Sequence, residues 1–93
     1  MTYSLKFKEE ALREWGKLDS GLREQFKKKL QERLLNPRVP AARLSGQKDR
    51  FKIKLRQAGY RLVYEVRDGE LVVVVVAVGK RDRNIVYKLA AKR

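Results

Sequence analysis

Phe51-Lys52-Ile53-Lys54-Leu55-Arg56, Gln57-Ala58-Gly59, then Tyr60-Arg61-Leu62-Val63-Tyr64-Glu65-Val66 is the stretch that decides the fold. In its first part Phe51, Ile53 and Leu55 alternate with Lys52, Lys54 and Arg56. In its last part Tyr60, Leu62, Tyr64 and Val66 alternate with Arg61, Val63 and Glu65. Period-two alternation marks strands with one buried face. Gln57-Ala58-Gly59 turns the chain between them. Asp68-Gly69 predicts a tight hairpin. Leu71 to Val78 is almost purely aliphatic, as in a strand covered on both faces. Gly79 ends it, and Lys80-Arg81-Asp82-Arg83-Asn84 reads as a basic loop. A short helix from about Asn84 follows, with Ile85 and Leu89 expected on its inner side.

Toward the N-terminus the pattern changes. Tyr3-Ser4-Leu5-Lys6-Phe7 alternates like a half-buried strand. From Glu9 a helical period takes over, with Ala11, Trp15 and Leu18 on one face and Leu12 beside them. Asp19-Ser20-Gly21 breaks that helix and offers an N-cap to the next. Leu22, Phe26, Leu30 and Leu34 recur every four residues until Asn36-Pro37, where proline lacks the N–H that would continue the helix. Residues 37–49 read as a surface loop. The order β-α-α-β-β-β-α predicts a single α+β domain over 1–93. Its antiparallel sheet carries an N-terminal helical hairpin on one face and a short C-terminal helix.

The chain has 93 residues, with 24 Lys and Arg against 11 Asp and Glu, a net charge of +13, and neither Cys nor His. Without Cys there is no disulfide framework, thiolate nucleophile or cysteine metal site. Without His, serine–histidine triads and paired-histidine ribonuclease chemistry are excluded. Any catalysis rests on Lys, Arg, Tyr and carboxylates. The carboxylates are scattered, with no D-x-D or D-x-x-x-E cluster for Mg²⁺. Gly59, Gly69 and Gly79 form no phosphate-cradling motif, so no cofactor and no metal are expected. So high a charge on a small chain repels itself and calls for a polyanionic partner, nucleic acid first. No segment approaches the roughly 20 apolar residues of a spanning helix, and a cytoplasmic location without membrane association is the expectation.

The charge is concentrated. Between Arg50 and Arg61 stand five basic residues and no acid. If the apolar residues of both strands share the core face, Lys52, Lys54, Arg56 and Arg61 emerge together on the other. Like charges facing each other across strands destabilise the pair, so an unrelieved basic face points to an anionic ligand rather than to ordinary solvation. Lys27-Lys28-Lys29 on the second helix reads instead as a solvated face. The aromatics fall on core positions except Tyr87, expected exposed and off the inner line of its helix, where stacking on a nucleobase and simple packing are equally open.

Lys52-Ile53-Lys54-Leu55-Arg56, Gly59-Tyr60-Arg61-Leu62-Val63-Tyr64, and Val78-Gly79-Lys80-Arg81-Asp82-Arg83 with Val86-Tyr87 resemble the motifs of the RelE toxin family. Ala11-Leu12-Arg13-Glu14-Trp15 and Arg23-Glu24-Gln25-Phe26-Lys27-Lys28-Lys29-Leu30 are similar as well. The resemblance covers essentially the whole chain. It departs at Lys8, where the family has an Asp capping the first helix, and at Ser45, which replaces a basic loop residue.

The resemblance implies the toxin of a toxin–antitoxin system: a metal-independent, ribosome-dependent endoribonuclease that cuts mRNA in the A site and halts translation. It also implies neutralisation by a RelB-like antitoxin, and operator DNA binding only through the toxin–antitoxin complex. The family's functional residues correspond to Lys52, Lys54, Arg61, Arg81 and Tyr87. Arg50, Arg56, Lys80 and Arg83 are the accompanying basic positions expected to contact RNA or the ribosome. Two alternatives stand beside this reading. One is a ParE-like toxin of the same fold that targets DNA gyrase and is no nuclease. The other is a non-catalytic nucleic-acid-binding module.

Overall fold

A computed structural model of the chain describes residues 2–82 and 84–93. The elements follow the expected order: β1 (Ser4–Phe7), α1 (Glu9–Gly16), α2 (Ser20–Leu35), β2 (Arg50–Leu55), β3 (Tyr60–Arg67), β4 (Val72–Lys80) and α3 (Ile85–Lys92). The strands lie in the order β1-β4-β3-β2. The β2–β3 and β3–β4 pairs are antiparallel, as expected, but β1 runs parallel to β4. The sheet is therefore mixed. β1 and β4 are joined through the rest of the fold, and such a long connection permits a parallel neighbour. None of the described helices is long and apolar enough to cross a membrane.

Helices cover both faces of the sheet. On one, Ala11, Leu18, Phe26 and Leu30 from the helical hairpin pack against Phe51, Ile53, Leu55, Leu62 and Tyr64. Trp15 bridges Phe7 and Phe26, with ring centroids 5.2 and 6.1 Å away. The Asp19 carboxylate accepts the Leu22 amide at 2.9 Å and so caps α2 as expected; Lys8 leaves α1 without a side-chain cap. Leu12 is 54% exposed and takes no part in the core. On the other face, α3 lays Val86 and Ala90 against Val63, Val76 and Ala77. Burying a Val side chain contributes about 1.5–3 kcal/mol, so this small second core supplies much of what holds α3 down.

Further sequence expectations need correction, among them that Gly79 ends the strand, since β4 runs on to Lys80. The inner side of α3 carries Val86 and Ala90, whereas Ile85 is 43% exposed. Gly79 brings the sheet close to α3: a Cβ there would meet Val86 at 3.2 Å, room that suits a small inner face. The β3–β4 connection is a 3₁₀ turn, Asp68–Glu70, and the left-handed position falls on Leu71 (φ 54°) rather than on Gly69. Asp68 is engaged there, accepting from the Tyr3 hydroxyl at 2.6 Å and from Arg38 Nε at 3.0 Å. Tyr87 is half-buried rather than exposed.

β4 contains a bulge. Val63 pairs with Ala77 but Tyr64 pairs with Val75, so Val76 is the extra residue. Its insertion turns Val76 and Ala77 together toward α3 while Val73, Val75 and Val78 face the helical hairpin. The Lys8 amide makes the last bond to this edge of β4, at Val75. Beyond it, side chains replace a neighbouring strand. Glu14 Oε1 accepts the Val78 amide at 3.1 Å, and Arg93 Nη1 donates to the Val76 carbonyl at 3.0 Å. Arg93 and Glu14 also pair directly, at 2.8 and 3.1 Å, and Lys8 Nζ donates to the Arg93 carbonyl. Lys8 thus ties the end of the chain rather than capping a helix.

Candidate active site

β2 and β3 present Lys52, Lys54 and Arg61 on the sheet face opposite the main core, because Phe51, Ile53, Leu55 and Leu62 claim the other side. Lys54 and Arg61 are direct cross-strand partners. Gly59, at φ 72°, turns the chain between the strands; its carbonyl accepts the Arg81 amide at 2.6 Å and so fastens the β4–α3 loop beside the hairpin. Lys54, Arg56, Arg61 and Arg81 thereby line one open cleft of about 220 Å³. Four of the nine basic or aromatic candidates meet in this one place, from three separate stretches of chain.

The electrostatics follow from that crowding. The Lys54 ammonium lies below the usual lysine range, chiefly because Lys52 repels its proton, then through desolvation and the charges of Arg61, Arg56 and Arg81. Nearby like charges disfavour a charged form in this way. Among the described residues no group of three or more carboxylates gathers to hold a cation.

Tyr87 reaches the site from α3. The Arg61 guanidinium lies over its ring at 5.0 Å from the centroid and the Lys52 ammonium at 5.9 Å, both within cation–π range. Burial raises the Tyr87 hydroxyl above its ordinary range, with Arg61 pulling the other way. That hydroxyl and Arg61 Nε are both buried without a hydrogen-bond partner. Of the two readings open for Tyr87, packing describes the ring as it stands, with two of the catalytic candidates over it.

The accompanying basic positions divide. Arg56 and Lys80 are exposed, Arg56 at the cleft and Lys80 at the end of β4. Arg50 is not available in the same way. Its side chain is 12% exposed and bonds Glu65 at 3.3 Å, Gln47 at 3.2 Å and the Ala90 carbonyl. Arg50 thereby ties β2 to the end of α3, so the guanidinium expected to contact RNA is engaged within the fold. Arg83 lies outside the described residues.

Two contributors escaped the sequence reading. Asn84, left-handed at φ 59°, accepts Arg61 Nη1 at 2.8 Å and orients it. Asn is one of the few residues that adopt this conformation readily, and its position just before the helix was the available signal. Arg33 of α2 donates to the Tyr64 hydroxyl at 2.9 Å and to the Lys52 carbonyl at 3.2 Å, fixing the β2 backbone. Helical periodicity carries no sign of that contact.

A half-open cationic cluster on a small mixed sheet flanked by three helices has known counterparts. A family profile described as ParE toxin of type II toxin-antitoxin system, parDE, matches residues 5–85. The chain belongs to this ParE/RelE family of toxins. Within it, the mRNA interferase toxin RelE of Escherichia coli (strain K12) is 57% identical over 93 residues, covering 100% of this chain and 98% of RelE. The free-state structure of an E. coli RelE variant with two arginines replaced by alanine aligns with a TM-score of 0.92 at 55% identity, covering 100% of this chain and 98% of that one. The same variant in complex with the antitoxin peptide RelBc aligns with a TM-score of 0.85, again at 55% identity and over 100% and 98% of the two chains.

Proposed function

We propose that this chain is the toxin of a type II toxin–antitoxin pair and cleaves mRNA in the ribosomal A site. The observation that carries the reading is the position of Lys54 among Lys52, Arg56, Arg61 and Arg81, which lowers its proton affinity in a chain without histidine. The ribose 2′-oxygen attacks the adjacent phosphorus while its proton passes to neutral Lys54 Nζ. The bond from phosphorus to the 5′-oxygen breaks, leaving a 2′,3′-cyclic phosphate and a 5′-hydroxyl. Lys52 and Arg61 offset the charge that grows on the phosphorane oxygens. Arg81 offsets charge on the leaving oxygen, which takes its proton from water, because a guanidinium holds its own protons too tightly to give one up.

Tyr87 supplies the aromatic surface. A nucleobase stacks there in exchange for Arg61 and Lys52, which are thereby released toward the phosphate. Arg56, Lys80 and Arg83 contribute sequence-independent attraction to RNA. A lysine and arginine site of this kind has no preformed acid, so the ribosome is required to present and orient the substrate. A RelB-like antitoxin neutralises the toxin, and operator DNA is reached only through their complex. The site of action is the cytoplasm, where the translating ribosomes are.

Primer extension on message from translating extracts tests this. Codon-phased cuts that vanish without ribosomes, and vanish with Lys54→Ala, are the expected result. Comparable cleavage of naked mRNA refutes the ribosome requirement. Intact message alongside inhibited gyrase supports the ParE-like reading instead. Tight RNA binding with neither effect supports a non-catalytic module.

A further inference from the structure

The catalytic cleft continues past the edge of the sheet. β2 is an outer strand, and on its far side two further depressions, of about 320 and 300 Å³, lie between it and α2. Lys54 and Arg56 border both of these and the cleft, so the three form one trough. Lys29 lines both outer depressions, and Arg33 lines the larger one, where its bonds to Tyr64 and the Lys52 carbonyl hold it. No residue lining any of the three is acidic.

The lysine triple on α2 is thereby divided. Lys27 pairs with Glu24 at 3.6 Å on the solvated face, whereas Lys29 turns toward the trough. No aromatic side chain lines either outer depression, so they suit phosphates rather than stacked bases. Gln25 and Gln57 add neutral hydrogen-bonding groups to the wall. An uncompensated row of cations running along an open strand edge fits an extended polyanion better than a compact one.

We propose that Lys29 and Arg33 of α2, with Arg56, form a second phosphate-binding subsite that holds the single-stranded message beside the nucleotides being cut. The subsite rests on the reading of the cleft as an RNA-cleaving centre. A strand whose 2′-hydroxyl meets Lys54 leaves the cleft over the Arg56 ridge and descends past Lys29. Ribosomal RNA presents the same phosphate chemistry, and the continuity of the trough with Lys54 favours the message.

The test is salt-dependent binding of a single-stranded RNA oligonucleotide made uncleavable by a 2′-deoxy sugar at the scissile position. It is measured on the whole protein by fluorescence anisotropy. Lys29→Ala, at an exposed helical position where alanine is well tolerated, is expected to lower the slope of log affinity against log salt by about 0.7, the value for one single-strand phosphate. Lys27→Ala leaves the slope at the wild-type value. Lengthening the oligonucleotide beyond the cleft strengthens wild-type binding but not binding by Lys29→Ala. Equal slopes for wild type and Lys29→Ala overturn the proposal, as does an equal loss from Lys27→Ala. An effect seen on programmed ribosomes but not with the oligonucleotide assigns Lys29 to ribosomal RNA and equally overturns it. Binding here requires no cleavage, so failure of the subsite is distinct from the failure of catalysis that Lys54→Ala and primer extension report.

Discussion

Replacing Arg93 with alanine should unlatch α3 while leaving the sheet intact. The substitution removes contacts of 2.8 and 3.1 Å to the Glu14 carboxylate and one of 3.0 Å to the Val76 carbonyl. The two side chains are 13% and 23% exposed, intermediate between two reference cases. Exposed pairs contribute about 0–1 kcal/mol, and removing one partner of a buried pair costs about 3–5 kcal/mol. Glu14 keeps the Val78 amide as a partner, so the loss stays below the buried-pair case, and about 2 kcal/mol, between the two cases, is expected.

An isolated eight-residue helix is not stable in water, so the loss is read as local opening of α3. About 2 kcal/mol corresponds to roughly 30-fold in the opening equilibrium. Native-state hydrogen exchange measures it directly. The Tyr87 and Lys88 amides, both bonded to the Asn84 carbonyl, should exchange about 30-fold faster, while amides of β3 and β4 keep their protection. Unchanged α3 protection would refute the latch, and equal acceleration in β4 would show that Arg93 supports the whole fold instead. Glu14→Gln keeps an oxygen for the Val78 amide and should give a smaller effect in the same place.

Four further outcomes follow, three from the site and one from the packing of α3. The single-turnover rate should climb with pH over the neutral range and level off below the ordinary lysine pKa, because the neighbouring cations depress Lys54; Lys54→Ala should lower it by about 10²–10⁴ and flatten the profile. The same depression means that the unfolded chain binds the Lys54 proton more tightly, so this group's contribution to stability improves as pH rises from its folded pKa to its ordinary value; a pH series of urea midpoints for wild type against Lys54→Met checks the sign. Asn84→Gly keeps the left-handed backbone but drops the bond to Arg61, and is expected to reduce the maximal cleavage rate about tenfold with little change in thermal midpoint; Asn84→Asp, which retains the acceptor oxygen, should recover most of it. Gly79→Ala places a methyl 3.2 Å from Val86 and should loosen α3 by about 1–3 kcal/mol, visible as faster exchange at the Tyr87 and Lys88 amides.

Where the order of elements was legible, the side chains alternate in type. Lys52, Lys54 and Arg61 fell on one face by arithmetic, since Phe51, Ile53, Leu55 and Leu62 could only face inward. The bulge was illegible for the opposite reason. Val72 to Val76 are five identical residues, and a uniform run has no alternation from which to read a register. The inner face of α3 was hidden in a similar way. Ile85, Val86, Tyr87, Leu89, Ala90 and Ala91 are apolar on nearly every side, and the narrow gap above Gly79, rather than periodicity, selects Val86 and Ala90.

Charge, composition and strand period were therefore settled by the amino-acid sequence alone: a histidine-free, strongly cationic α+β chain with a basic sheet face and the motif set of its family. These are properties of individual residues and of their nearest neighbours in the chain. What only the tertiary structure decided concerns pairs distant in sequence. Arg50 is spent on Glu65 and α3, Tyr87 is occupied by Arg61 and Lys52, and Arg93 completes an edge of β4 that β1 is too short to cover. Lys29 shares a trough with Lys54 although 25 positions separate them. Each depends on which polar groups and cations the packed elements leave facing one another, and such proximity is created only when the chain folds.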